Sequence, residues 1–353
     1  MRKYYSGITL FKLAGCLVVL LAHTMLIRYM NDFSNQQFKF LTPMLGTVVP
    51  CFYVISGFLA YNGWKHAANA RQYVLKYIAR LSLLYGLFCI LFTVEHIIPE
   101  LIRSGPTLSN IALQARILII AVVLNGPLVQ LWFIPPLLFS MAACYWLVYE
   151  RRALRLAVIL AIAGFLLTLF VCGSFIPMTN AIFDGFTSND SSIFSYAKLF
   201  IYRYLGFGLT FVLAGILIAK YEEKFCQWRA WRFLIGTVVL TAAELLILLN
   251  YAEWSNDYKL ALSILPGTLL LFYGIIHIKW KAVQTYHTFI NLFSIVTFVG
   301  HIPFMRINLL LLDWDIASMN VSQDIVYLTL SLLECLTLTM ILYKRKRRVT
   351  LQA

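Results

Sequence analysis

Long apolar runs, separated by short polar stretches, recur from one end of the chain to the other and leave it few folds to adopt. They fall near residues 8–29, 42–63, 73–94, 128–149, 153–174, 199–219, 233–251, 260–278, 288–311 and 323–343. Each is close to the roughly 20 residues that a helix needs to cross a bilayer's hydrocarbon. Composition agrees, with 61% apolar and 12% charged residues, against about 45–50% and about 25% in a soluble domain. That excludes a disordered chain and an ordinary soluble enzyme with one core. Ten runs use roughly 200 residues of the 353, so loops and termini account for the rest, with no separate soluble domain of normal size. The expected fold is all-α: a polytopic transmembrane helix bundle of about ten spans, one membrane domain over 1–353. The first run follows Met1-Arg2-Lys3 like a signal peptide, but its length, its His23 and the lack of an A-x-A site make it a retained span.

The formal charge is 29 − 15 = +14. On a soluble protein this would point to nucleic acid; here it matches the Lys and Arg excess of cytoplasmic loops, and no nucleic-acid partner is expected. With ten spans and the N-terminus inside, the inner segments hold Lys65, Arg71, Lys76 and Arg80, then Arg151, Arg152 and Arg155, then Lys220, Lys224, Arg229 and Arg232, and the basic tail from Lys344 to Arg348. The outer loops hold Asp32, Glu95, Glu100, Asp184, Asp190, Glu253, Asp257, Asp313 and Asp315 with few bases. Both termini are therefore expected in the cytoplasm. The stretch 110–124, with Gln114 and Arg116, is expected at the outer surface or dipping into it, because an eleventh span would reverse this pattern. The seven cysteines form no CxxC pair and read as small buried apolar residues. No metal-binding pattern is present, and no bound cofactor is expected.

Ionisable groups inside spans are functional candidates. They are Lys12, His23, Arg203, Glu244, His301, Arg306 and Glu334. Lys12 and Arg203 lie near span ends, where snorkelling to headgroups is the plainer reading. Glu244 and Glu334 are nearer mid-membrane and read as protonated, or as paired with Arg306 or a backbone group. His23 and His301 sit at matching depth in their spans, which suggests a shared cavity, although a lone histidine in a bundle is more often a satisfied core residue. Two further stretches are unusual for lipid-facing helix. Val49-Pro50-Cys51-Phe52-Tyr53-Val54-Ile55-Ser56-Gly57-Phe58 has a proline expected to kink its span, and a Ser56-Gly57 step that admits another backbone or a ligand. Gln130-Leu131-Trp132-Phe133-Ile134-Pro135-Pro136 suits an interfacial anchor or a cavity mouth.

A series of signals, in order along the chain, resembles the acyltransferase-3 family of integral membrane acyltransferases. Lys12 and His23 stand at the spacing of the family's Arg-x10-His opening motif. Val49 to Phe58 resembles its VPxFFxISGF-like motif, and Lys76-Tyr77-Ile78-Ala79-Arg80-Leu81 its KRxxRL element. Leu131-Trp132-Phe133-Ile134 is similar to LWFL, and Ser294 to His301 to its late SxGIYLxH-like helix. Two positions depart: Lys12 replaces the arginine, keeping the charge without the planar fork, and Tyr77 replaces a second base.

The resemblance implies transfer of an acyl group, commonly acetyl, from acyl-CoA as co-substrate to a hydroxyl of a cell-envelope glycan or lipid-linked sugar. The setting it implies is the bacterial plasma membrane. It casts His23 as general base, with a histidine acyl-enzyme as the alternative, and His301 or Trp132 as oxyanion donor. It casts Lys12, Ser56, Gly57, Lys76 and Arg80 as the acyl-CoA site. Without an SGNH-type extracytoplasmic domain, the chain is expected to be a stand-alone form that hands product to its carbohydrate or glycolipid acceptor or to separate envelope enzymes. A flippase of a lipid-linked sugar and a non-catalytic scaffold of glycan assembly are the competing classes.

Overall fold

A computed structural model of the protein describes residues 3–26, 36–128, 131–183, 192–255 and 257–352. Arg2, Asp32, Gln130, Asp184 and Asp190, which enter the charge and motif readings, lie outside the described residues.

Helix α1 (Ser6–Leu21) runs into a π turn at Ala22–Leu26. Next come α2 (Gln36–Leu45) and α3 (Val48–Lys65). α4 (Ala70–Phe92) continues through a π turn (Thr93–Ile97) into α5 (Ile98–Ser104). α6 (Leu108–Ile120) ends in a π turn at Ala121–Asn125, and α7 (Ile134–Cys144) in another at Tyr145–Glu150. After α8 (Leu154–Cys172) and the short α9 (Ile176–Ile182), α10 (Ser192–Phe200) passes through a long π segment (Ile201–Leu209) into α11 (Thr210–Lys220). The chain ends with α12 (Glu222–Cys226), α13 (Ala230–Tyr251), α14 (Ile264–His277), α15 (Lys281–Thr285), α16 (His287–Leu312) and α17 (Val321–Gln352).

Among the described residues no strand forms, and nine helical stretches are long and apolar enough to cross a membrane. The shorter α14 is apolar as well. The protein is an all-α, multi-pass integral membrane bundle. Its prolines mostly start helices. Pro50, expected to kink a span, sits in the first turn of α3, and Pro135 and Pro136 open α7. The first turn of a helix has no use for the N–H that proline lacks. Pro303 lies inside α16, which stays helical around it.

The chain groups into two compact units, Met1–Asn35 with Gly274–Ala353, and Gln36–Tyr273, although no linker is visible in the sequence. In the first unit α1 runs parallel to α16. Cys16 bonds Ser294 and His23 stacks on His301, and both pairs have the same offset: 294 − 16 = 278 and 301 − 23 = 278. α17 runs antiparallel to α16, with the Tyr327 hydroxyl on the Met305 carbonyl and the Tyr343 ring against Phe289 nearer its C-terminus. The start of α1 is strapped by Ser6, whose hydroxyl donates to the Ile278 carbonyl (2.7 Å) and accepts from the Trp280 N–H (3.0 Å).

In the second unit the closest helix pair is α3 with α11. Gly57 lies directly on the Val212 carbonyl and Gly215 on the Val54 carbonyl, so each helix presents bare backbone to the other. The face of Gly57, expected to admit a ligand, is filled by α11; this glycine packs helices and leaves no room there for a pantetheine arm.

The stretch from Ala70 to Ser104 is 35 residues long, about 52 Å at 1.5 Å per residue, which is more than a bilayer core of about 30 Å needs. Its far end, with Glu95, His96 and Arg103 exposed, overshoots such a core. α6 folds back along it and ends level with Tyr85, whose hydroxyl donates to the Val122 carbonyl at 2.6 Å. After a break at Gly126 (φ +78°), α7 continues in the same direction until Tyr145, Glu150 and Arg151 reach Arg71. A side chain at Gly126 would also strike the Trp132 backbone, 2.6 Å from its N. Leu108–Asn125, which covers the stretch expected at the outer surface, is long and apolar enough to cross by itself.

Gly215→Leu is expected to force α3 and α11 apart and cost about 1–3 kcal/mol as overpacking, read as a lower melting temperature in detergent. Gly236→Ala, with nothing within 4 Å of a built Cβ, is expected to stay within about 0.5 kcal/mol of the parent. Equal effects would contradict the packing role.

Candidate active site

Lys12 and His23 are 23 − 12 = 11 residues apart on α1 and its π turn. Eleven residues make about three helical turns, so the two share a face about 16 Å apart along the axis. Cys16 and Leu20 lie between them on that stripe, both buried, while Lys12 and His23 are half-buried. The π turn widens the helix at His23, a feature that recurs at functional positions.

On α16 a buried stripe at three- and four-residue spacing carries Ser294, Thr297, His301, Met305 and Asn308. His301 is fully buried. Its Nδ1 lies 2.8 Å from the Thr297 carbonyl. A carbonyl only accepts, so Nδ1 bears the hydrogen and Nε2 of the neutral ring is left as an acceptor. That Nε2 is buried and finds no partner among the described residues. The His23 and His301 rings stack with centroids 5.4 Å apart and planes 29° apart. The two imidazoles expected to meet do meet. His301, however, expected as an oxyanion donor, presents a lone pair instead; in this tautomer it takes a proton and cannot give one.

Two turns further along α16, Asn308 Nδ2 donates to Glu334 Oε2 (2.9 Å) and to Ser331 Oγ (3.3 Å), both on α17. Glu334 is thus met by an amide. Asn308 escaped the sequence reading because it is not ionisable; its seven-residue spacing from His301 was the available signal.

The other expected site residues belong to the second unit. Ser56 donates to the Phe52 carbonyl (2.8 Å) and bonds Tyr77, so the residue replacing the family's second base is tied to α3. Lys76 and Arg80 are exposed, one turn apart near the start of α4. Trp132 lies under Arg203, whose guanidinium is 4.8 Å from the ring centroid and donates to the Leu124 carbonyl. Tyr202 stacks on the Trp132 ring with centroids 6.2 Å apart, and Tyr53 donates to the Phe133 carbonyl. Arg203 therefore does not snorkel; a cation–π contact and a free carbonyl at the α6–α7 break hold it. Its place in a Tyr-Arg-Tyr run was the sequence signal. Glu244, on α13, accepts the N–H groups of Leu262 (2.6 Å) and Ser263 (2.9 Å) just ahead of α14, where a helix has unsatisfied donors. None of the seven cysteines forms a disulfide, and five are buried. Among the described residues no group of three or more His, Cys, Asp or Glu is placed to hold a metal.

A multi-pass bundle with paired imidazoles among buried polar side chains defines an integral membrane protein with an internal polar site. The chain belongs to the acyltransferase-3 family, whose acyltransferase domain matches residues 5–343. It is also similar to an amino-acid racemase of Enterococcus faecalis, 27% identical over 166 residues. That match covers 46% of this chain and 22% of the racemase, so the chain corresponds to less than a quarter of that relative's length. No solved structure matches.

A double-mutant cycle of Arg203→Leu and Trp132→Leu, followed by thermal unfolding in detergent, is expected to give a coupling of about 0.5–2 kcal/mol. Additive losses would mean that the ring and the guanidinium do not interact.

Proposed function

We propose that the protein moves an acyl group, acetyl in the simplest case, from acyl-CoA to a hydroxyl of a cell-envelope glycan or lipid-linked sugar in the bacterial plasma membrane. The observation that carries this reading is the stacked His23–His301 pair with its unused Nε2 lone pair, in a chain of an acyltransferase family. Acyl-CoA is a cytoplasmic polyanion. Lys12 meets its phosphates as a point charge, and three turns of α1 separate that charge from His23, the scale of an extended pantetheine arm. Lys76 and Arg80, exposed at the start of α4 in the second unit, form a positive patch of their own that attracts polyanions.

An alcohol is far too weak an acid to ionise at neutral pH. His23, the more accessible imidazole, takes the hydroxyl proton as the oxygen attacks the thioester carbonyl. The carbon–sulfur bond breaks, and the coenzyme thiolate recovers that proton. The products are an ester and free CoA, with no net change in protonation. His301 is the positioning residue: its Nε2 supplies an acceptor beside the His23 ring, while its own orientation is set by Thr297.

The test is acyl transfer from labelled acetyl-CoA by purified protein to a glycolipid fraction of the envelope. His23→Ala is expected to lose about 10²–10⁴-fold in rate while acyl-CoA binding and melting temperature persist. Lys12→Ala is expected to raise KM for acyl-CoA with little change in kcat, and Lys12→Arg to restore it. An active His23→Ala protein would refute the base assignment, and normal donor binding by Lys12→Ala would refute the phosphate role.

A further inference from the structure

At the end of the second unit remote from Arg71 and Arg151, a cavity of about 80 Å³ is lined by Cys172, Ser195, Lys198, Tyr202, Asp257 and Lys259. Whole-ligand pockets run about 300–1,000 Å³, so this space suits one small group. Its walls are pinned by backbone. The Lys259 N–H donates to the Cys172 carbonyl (3.0 Å) and the Ser174 N–H to the Leu260 carbonyl (2.9 Å), tying the 257–263 loop to the end of α8. Glu244 holds the same loop from the other side through Leu262 and Ser263.

The charges do not cancel. Lys198, nearly buried with its side chain 10% exposed, pairs with Asp257 at 2.8 Å. Lys259 is a second cation on the rim. Arg203 lies within electrostatic reach of Lys259, behind the Tyr202 that lines the cavity. Among the described residues that line the cavity, two lysines against one carboxylate leave 2 − 1 = +1, with Arg203 in reach beyond them. Surplus positive charge in a partly buried place is matched by an anion, and lysines meet phosphate as point charges.

We infer that this cavity is a phosphoryl-binding subsite in which Lys198 and Lys259, backed by Arg203, hold a phosphate or pyrophosphate group. The site stands on its own geometry. That the phosphoryl group belongs to the acceptor, as in a lipid-linked sugar, rests on the acyl-transfer reading and makes that acceptor a phosphorylated one.

The experiment is thermal shift of the purified full-length protein with inorganic pyrophosphate, in nanodiscs with and without phosphatidylglycerol. Pyrophosphate is expected to stabilise the parent in the lipid-free-of-phosphatidylglycerol discs. Lys259→Gln, which leaves the Lys198–Asp257 pair intact, is expected to weaken that response about tenfold or more. Asp257→Asn is expected to keep or strengthen it by removing the opposing charge. Loss of the response only in phosphatidylglycerol discs would support the subsite with a lipid headgroup as its source. No response in either disc, an unchanged response in Lys259→Gln, or equal weakening in Asp257→Asn would overturn the subsite. Protein that transfers acyl groups but ignores pyrophosphate would sink this inference alone; protein that binds pyrophosphate but transfers nothing would sink only the acyl-transfer reading.

Discussion

Hydrocarbon supplies no water to meet a stray imidazole, guanidinium or carboxylate, so each polar side chain in this bundle has to be met by protein. That demand shapes both units. In the first, the buried polar stripe of α16 faces α1 through His23 and α17 through Ser331 and Glu334. The parallel run of α1 with α16 at one constant offset brings the two imidazoles to the same level; a slip of a single residue would rotate one ring by about 100° away from its partner. In the second, Arg203 is met by Trp132 and a carbonyl freed where α6 ends, and Glu244 is met by the free N–H groups ahead of α14. In both cases backbone at a helix end supplies a partner.

Close packing of backbone does the remaining work of assembly. Between helices in lipid there is little hydrophobic drive, so small residues that let two backbones touch take its place. Gly57 and Gly215 do this for α3 and α11. Among the described residues of the first unit's core, His301 Nε2 is a buried acceptor that no hydrogen bond meets. An unmet buried acceptor is costly, which is why it marks the place where chemistry is sought.

Much of this was legible in the residues. Apolar length leads to the all-α, multi-pass bundle, but the charge argument places 110–124 at the outer surface, whereas Leu108–Asn125 is long and apolar enough to cross. Matching depth brings His23 and His301 together before any coordinates. What escaped was orientation at the level of atoms. The role of His301 turns on which ring nitrogen faces the Thr297 carbonyl, and nothing in a sequence states a tautomer. Pro50 read as a kink because helix starts inside an apolar run carry no compositional mark. Gly57 read equally as a ligand contact or a helix contact, because both need the same missing side chain. Arg203 read as a snorkelling residue because the break that frees the Leu124 carbonyl depends on how α6 and α7 stack.

The central claim is that an acyl group reaches an envelope hydroxyl by way of the paired imidazoles of α1 and α16. Mass spectrometry of envelope glycans tests it most directly, from cells making the parent chain, no chain, or a chain with both histidines replaced by phenylalanine. The account predicts glycans heavier by one acyl group in the first cells alone. Identical glycan masses in all three, or the heavier species in cells carrying the double phenylalanine chain, would contradict it.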